Sequence, residues 1–296
     1  MQKILILGGS TFDHIVHVPK FPDPIPQTIH QTVFYEGCGS TGIGKALALT
    51  KLGVPNYLYT AFGDDVYGRE IELYLYKNSV ENTVIIDPKG TERHINLMDD
   101  AGNRISMFIT QSSETLPHDE RIIQQLINDC DIIVLNIIPY CLQLIPLIKA
   151  SGKPVWTDLH DYDGINPYHQ PFIDAAQYIH LSSDNLPDYK PVMQQLLAPG
   201  KEMVICTHGK KGSSVLLADE TYLEEPIKYQ ATVVDSNGAG DSYFAGFLYG
   251  FINNQSIQNC MRYGAACGAM TVEDKNLVAL KLSEKKLEEF MREFYP

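Results

Sequence analysis

The sequence predicts an α/β protein: a central, mainly parallel β-sheet flanked by helices, with a small β-sheet lid beside it. Apolar runs of strand length alternate with segments of helical apolar spacing along almost the whole chain. That alternation is the mark of crossover units, which build parallel sheets covered by helices on both faces. The rhythm breaks in two stretches, about residues 14–35 and 87–111, where short β-like pieces replace crossover units.

In chain order, Lys3–Leu7 (KILIL) is a buried strand running into Gly8-Gly9. The stretch from His14 to Tyr35 holds P-K-F-P-D-P-I-P-Q between short β-like pieces. Helical spacing over Gly42–Leu52 and Tyr67–Lys77 brackets a strand at Tyr57–Phe62. From Asp87 to Gln111 two alternating strands meet at D-D-A-G-N, a hairpin signal rather than a crossover. Helices at Glu120–Asn128 and Leu142–Ala150 then alternate with strands at Ile132–Ile137 and Val155–Asp158. Strands follow at Tyr178–Leu181, Met203–Thr207 and Ser214–Leu217, and helices at Tyr243–Ile252, Ile257–Val272 and Glu284–Phe294. There is no internal repeat and no separating linker, so residues 1–296 read as a single domain with a lid at 14–35 and 87–111. Ligands of such sheets sit in the crevice beyond the carboxyl ends of the strands.

Composition narrows the function. With 23 Lys+Arg against 36 Asp+Glu the formal charge is −13, and no basic run is present. That charge argues against a nucleic-acid partner or an anionic membrane surface, but not against ATP, which a local nest of backbone N–H groups can hold. Cys38, Cys130, Cys141, Cys206, Cys260 and Cys267 show no C-x-x-C spacing and read as reduced thiols. The opening residues are too soon interrupted for a secretory signal, and no apolar window approaches the roughly 20 residues of a membrane span. The expectation is a cytoplasmic protein.

The sharpest motif is Asp235-Ser236-Asn237-Gly238-Ala239-Gly240-Asp241, between a strand-like A-T-V-V-D and a helix. Gly238 and Gly240 permit backbone conformations that aim successive N–H groups into one concavity, and the helix start adds its positive end. Asp241 there is placed to take the proton from an attacking hydroxyl. The plainer reading, a helix N-cap after a glycine turn, fits the spacing equally well.

The heptapeptide resembles the D-T-x-G-A-G-D signature of the PfkB/ribokinase family of carbohydrate kinases, with Ser236 in place of Thr. Gly63-Asp64-Asp65-x-x-Gly68 is similar to the family's G-D-D-x-x-G stretch. Gly37–Gly53 resembles its N-terminal glycine-rich motif, and Val204–Gly212 its nucleotide-site strand and T-x-G-x-x-G loop. The resemblance covers essentially the whole chain in the right order. It implies a ribokinase-like fold and an enzyme that moves the γ-phosphoryl of ATP to a primary hydroxyl, with Mg2+ and in many members K+. It makes Asp241 the catalytic base and Gly238, Ala239 and Gly240 the anion hole. Thr207, Gly209 and Gly212 fall in the loop that contacts ATP, and Asp235 where many members bind a monovalent cation or fix the loop. The glycines of that loop would be needed because a side chain would push ribose and phosphates away.

At the acceptor end the resemblance makes Asp13 the aspartate that binds sugar hydroxyls, a task suited to an acceptor of two hydroxyl hydrogen bonds. Gly39, Ser40 and Thr41 match the motif lining the sugar pocket, and Arg104 the position of a lid arginine, though a hairpin-tip charge reads equally well. His14 and His17 form an H-x-x-H pair without a third ligand and read as surface histidines rather than a metal site. Several positions depart from the family. Ile43 and Gly44 stand where a sugar-binding Asn is usual, and Asp158-Leu159-His160 replaces D-P-N. Ser182 and Asn185 occupy the N-x-x-E positions that organise magnesium, and Tyr263–Thr271 lacks the usual Asn.

The expected activity is therefore a sugar kinase, its partner a small-molecule sugar, with a possible homodimer formed through the lid. A nucleoside kinase is the alternative, because C-G-S-T is similar to the G-G-S-T of adenosine kinases and Phe12, Phe34, Tyr35 and Phe108 could stack on a base. A non-catalytic binding protein is disfavoured by the intact G-A-G-D. A dinucleotide site is discarded, since no G-x-G-x-x-G with a following acidic residue succeeds the first strand.

Overall fold

The first strand of the chain, β1 (Ile4–Leu7), lies inside a nine-stranded sheet and marks the point where the strand order reverses. The structure, a computed structural model, describes residues 2–100 and 104–296. On one side of β1 stand β4 (Asn56–Phe62) and β5 (Asn82–Ile86). On the other stand β8 (Ile132–Asn136), β9 (Val155–Asp158), β10 (Tyr178–Ser182) and β11 (Met203–Thr207), all parallel to it. The antiparallel strands β12 (Ser213–Leu217) and β13 (Tyr222–Glu225) finish that edge. Four-residue β1 is wholly apolar and wholly buried, as a strand covered on both faces must be.

Helices cover the two faces. On one lie α1 (Thr41–Lys51), α2 (Val66–Lys77), α7 (Ala239–Ile252), α8 (Ile257–Val272) and α9 (Glu284–Phe294), around a core that includes Leu47, Phe244, Phe247, Met261 and Leu287. On the other lie α3 (Glu120–Asp129), α4 (Ile145–Ser151), α5 (Gln170–Ala175) and α6 (Tyr189–Leu196), around Ile123, Ile148, Phe172 and Met193. Among the described residues no helix is long and apolar enough to cross a membrane.

The second sheet has the order β3-β2-β6-β7, from β2 (Thr11–Val18), β3 (Val33–Gly39), β6 (Arg93–Asp99) and β7 (Arg104–Thr110). It is the lid, with two differences from expectation. Its N-terminal part begins at Thr11 and ends at Gly39 rather than spanning 14–35, so Asp13 and Gly39 lie on lid strands. The reason is visible in T-F-D-H-I-V-H-V: both faces of β2 carry mixed residues, which conceals the two-residue period. The hairpin joins β6 to β7 as expected, but β6 also runs parallel to β2. The tip, Ala101-Gly102-Asn103, lies outside the described residues.

Other boundaries moved for local reasons. Residues 139–144 form a 3-10 turn after Pro139, so the regular helix starts only at Ile145. Helix α7 starts at Ala239, four residues before its apolar spacing begins, because its first turn is the glycine loop itself. G-D-D-x-x-G is a capping device: Asp65 Oδ1 accepts from the Gly68 N–H at 2.9 Å and from Thr91 Oγ1 at 2.7 Å, tying α2 to the turn after β5.

The glycine run before α1 lets that helix abut the end of β1. A Cβ at Gly42 would overlap the backbone of Gly8 and Gly9. Gly42→Ala is accordingly expected to lower the unfolding free energy by roughly 1–3 kcal/mol, the usual cost of overpacking. Chemical denaturation measures it, and an unchanged midpoint would contradict this packing.

Candidate active site

Asp241 occupies the first turn of α7, and its position is fixed from two sides. Lys45 Nζ on α1 lies 2.5 Å from Asp241 Oδ1, and a Cβ on Gly44 would stand 2.5 Å from Asp241 Oδ2. Lys45 Nζ is also 2.8 Å from Asp158 Oδ2 at the carboxyl end of β9, and 5.1 Å from the centroid of the Phe244 ring. The Lys45 side chain is fully buried. Asp158 Oδ1 lies 2.9 Å from His180 Nδ1 on β10, and Oδ2 lies 3.8 Å from His160 Nδ1. Burial alone would raise Asp158, but Lys45, His180 and His160 override it and hold the carboxyl well below the usual carboxylate range. Burial likewise opposes the Lys45 charge, and the two carboxylates outweigh it, so the ammonium holds its proton more tightly than an ordinary lysine.

Asp13 sits on β2, only 3% exposed. Its Oδ1 accepts from Thr11 Oγ1 at 2.7 Å and its Oδ2 from Asn96 Nδ2 at 3.1 Å. Ser106 Oγ donates in turn to Asn96 Oδ1 at 2.7 Å. His94 stands 3.6 Å from Asp13 with its other nitrogen 2.9 Å from Glu92 Oε1, its ring 3.9 Å from that of Phe108. Burial raises Asp13 above its ordinary value; His94, Thr11, Asn96 and Arg104 oppose that rise without cancelling it. A Cβ at Gly39 would overlap the Asp13 carboxylate. Glycines 39 and 44, five positions apart around the start of α1, thus admit one carboxylate each, Asp13 and Asp241.

Two lid side chains reach the glycine loop. Tyr35 on β3 donates its hydroxyl to Asp235 Oδ2, and Arg104 Nη1 on β7 donates to Asn237 Oδ1 at 3.1 Å. Burial, then the Asp235 carboxylate, pushes the Tyr35 hydroxyl up. Asp235 Oδ1 accepts from the Asn237 N–H at 2.7 Å, so both of its oxygens are engaged. Gly238 has φ +74, and a side chain there would overlap the Leu277 carbonyl. Gly240, by contrast, has nothing within 4 Å of its Cβ position. That open face over the positive end of α7 suits a phosphate group.

The loop at residues 207–212 is a tight turn between β11 and β12. Gly209 (φ +54) faces open space, but a Cβ at Gly212 (φ +109) would overlap the Glu225 carbonyl of β13. Glycine at 212 is therefore demanded by the sheet edge as well. Thr207 ends β11, at the carboxyl rim of the sheet with Asp158. Ser40 takes φ +79 at the start of α1, strain that a non-glycine residue accepts only where its surroundings impose it, and Thr41 opens the helix. Asn185 Nδ2 lies 3.2 Å from Asp161 Oδ2. His14 pairs with Glu36 at 2.8 Å and His17 with the Tyr35 hydroxyl at 3.3 Å, on opposite faces of β2.

Of the four aromatics set aside for base stacking, Tyr35 and Phe108 share the Asp13 face of the lid. Phe12 packs against Tyr67, and Phe34 lies in register with Val16, both on the other face. Sequence reasoning missed Lys45, His180, Asn96 and Ser106. None of the four carried a signal in the local sequence; Lys45, for one, meets its partners Asp158 and Asp241 far along the chain.

A sequence model of the pfkB family carbohydrate kinases matches residues 173–284. The chain is 29% identical to the acarbose 7(IV)-phosphotransferase of Actinoplanes sp. over 270 residues, 90% of each chain. It is 25% identical to a nucleoside kinase of Methanothermobacter thermautotrophicus over 283 residues, 93% of this chain and 90% of that one. Among solved structures, a microbiome-derived acarbose kinase superposes with a TM-score of 0.85 at 28% identity, covering 98% of this chain and 99% of the other. The ribokinase of Arabidopsis thaliana, solved with ribose and ATP, shares the fold at a TM-score of 0.76 and 18% identity, covering 98% of this chain and 99% of that one.

The raised Asp13 carboxyl has a measurable cost. Where the folded state binds a proton more tightly than the unfolded chain, stability falls as pH rises from the ordinary to the raised value. Asp13→Asn is expected to raise the melting midpoint at pH 7 by roughly 2–4 °C. The gain should vanish below about pH 4, where the unfolded carboxyl also protonates. Midpoints identical to wild type at every pH would contradict this burial cost.

Proposed function

We propose that the chain is a carbohydrate kinase of the PfkB family that transfers the γ-phosphoryl of ATP to a primary hydroxyl of a sugar or sugar-like acceptor, with Asp241 as general base. One observation carries the reading: a buried carboxylate in the first turn of α7, directly after a glycine whose side-chain position is open. In this proposal Gly238, Ala239 and Gly240 form the anion hole, their N–H groups and the helix end meeting the charge on the transferred group. Asp241 Oδ2 takes the proton as the acceptor oxygen attacks, while Asp13, Gly39, Ser40 and Thr41 orient the acceptor.

Thr207, Gly209 and Gly212 flank the nucleotide. Magnesium, when bound, would offset the charge of the phosphates; with Asn185 at the usual glutamate position, Asp161 beside it is the carboxylate we assign to hold it at that end of the site. Asp235 we assign to holding the loop to Tyr35 rather than to a potassium ion, since both oxygens already accept hydrogen bonds. The whole chain acts as one kinase domain. The face of the lid turned away from Asp13 carries exposed Phe34, Ile105 and Met107, and we propose that a second copy covers it.

A sugar, including an oligosaccharide analogue such as acarbose, fits better than a nucleoside. The Asp13 face offers Asn96, Ser106 and His94, a set suited to several hydroxyls; of the four candidate stacking rings Tyr35 and Phe108 also face it, and Phe12 and Phe34 do not. An ADP-release screen over acarbose, pentoses, hexoses and nucleosides tests the choice; turnover of nucleosides alone would favour the alternative.

Two substitutions test the roles. Asp241→Asn should leave ATP affinity by calorimetry within about two-fold and lower kcat on the order of 10²–10⁴-fold; near-normal turnover would remove Asp241 from the mechanism. Asp13→Ala should raise the acceptor KM about ten-fold or more with little change in the KM for ATP, because hydrogen bonds to a charged acceptor are worth roughly 1.5–3 kcal/mol. An unchanged acceptor KM would assign the pocket to other residues.

A further inference from the structure

Lys45 is the one buried cation in contact with Asp241 among the described residues, and nothing in the glycine-rich motif requires a lysine there. Its ammonium faces two carboxylates, Asp158 and Asp241, so the trio carries one uncompensated negative charge. The charged and titratable groups around Asp241 come from three directions: Lys45 on α1, Asp158 and His160 at the end of β9, and His180 on β10. On its own helix, Asp241 is followed by Ser242, whose hydroxyl accepts from Thr271 Oγ1 at 2.8 Å.

We propose that Lys45 is a positioning residue for phosphoryl transfer: it holds Asp241 by Oδ1, fixes the carboxylate plane over Gly44, and leaves Oδ2 as the proton-accepting oxygen. Asp158 anchors the ammonium from behind and does not meet the acceptor. The assignment rests on the reading of Asp241 as the base. Its physical content is that a cation at 2.5 Å orients the base. A purely structural lysine would instead serve only to neutralise Asp158.

The two roles separate in the double variant Lys45→Met/Asp158→Asn. It keeps the net charge of the trio, because one cation and one anion leave together, and so avoids two buried, unpaired carboxylates facing each other. If Lys45 positions the base, the double variant folds with a melting midpoint near wild type, yet kcat on the best acceptor of the panel falls at least about ten-fold. The acid limb of the kcat profile moves up by about one pH unit or more, because the nearer charge, the cation, has gone. Acceptor and ATP KM stay near wild type. Carboxyl-13C NMR of aspartate-labelled protein, with the Asp241 signal identified by its loss in Asp241→Asn, should show the same upward shift without any acceptor present. Wild-type turnover and an unmoved acid limb in the double variant would overturn the proposal, as would its failure to fold, which would assign Lys45 to the structure alone. Failure of the base reading is distinguishable, because Asp241→Asn would then turn over normally.

Discussion

An ammonium group with no access to water, Lys45 Nζ, stands between carboxylates from β9 and α7, and the meeting of α1, α7 and the carboxyl rim of the sheet is arranged around that ion trio. Breaking a buried pair by removing one partner typically costs about 3–5 kcal/mol. That cost locks the start of α1 against the sheet's carboxyl rim and the first turn of α7. The close approach is possible only because Gly42 and Gly44 present no side chain to Gly9 and to Asp241. Seen this way, glycine at the position of the usual asparagine is the consequence of a carboxylate occupying its space.

Three aspartates show how environment divides labour between identical side chains. Asp158 is matched by a cation and two imidazoles and stays firmly ionised as a fixed support. Asp13 is almost as buried but meets mainly neutral donors, with His94 at 3.6 Å, and burial raises its carboxyl above the ordinary value. Asp241 is held by one oxygen, Oδ1, on the Lys45 ammonium. Tyr35 and Arg104 tie the lid to the loop that begins α7 through two hydrogen bonds.

The mainly parallel sheet with its flanking helices and the glycine loop were legible in the sequence because both rest on local rules; the strand order was not, since it depends on which distant strands pair. Apolar runs such as ILIL and IIVLN can only be buried strands, and Gly238 marks a left-handed backbone position that a side chain could not share with Leu277. Asp13 was legible only by resemblance, since its hydrogen-bond partner Asn96 lies 83 positions away. Lys45 was hidden for a different reason. A lysine in a helix ordinarily faces water, and its burial depends on partners 113 and 196 positions distant, whose approach no local pattern encodes. Gly212 carries the opposite lesson: a residue that fits a nucleotide loop is demanded by a neighbouring strand.

The most direct measurement of the central claim is a crystal structure of the enzyme with magnesium, ADP, aluminium fluoride and the best acceptor. The account predicts the fluoride over the open face of Gly240, within hydrogen-bond reach of N–H groups in the first turn of α7. It also predicts the acceptor oxygen between the aluminium and Asp241 Oδ2, with Lys45 still on Oδ1 and Asp13 on the acceptor's other hydroxyls. An acceptor oxygen bonded to a different side chain, or fluoride seated away from the loop at 238–240, would contradict it.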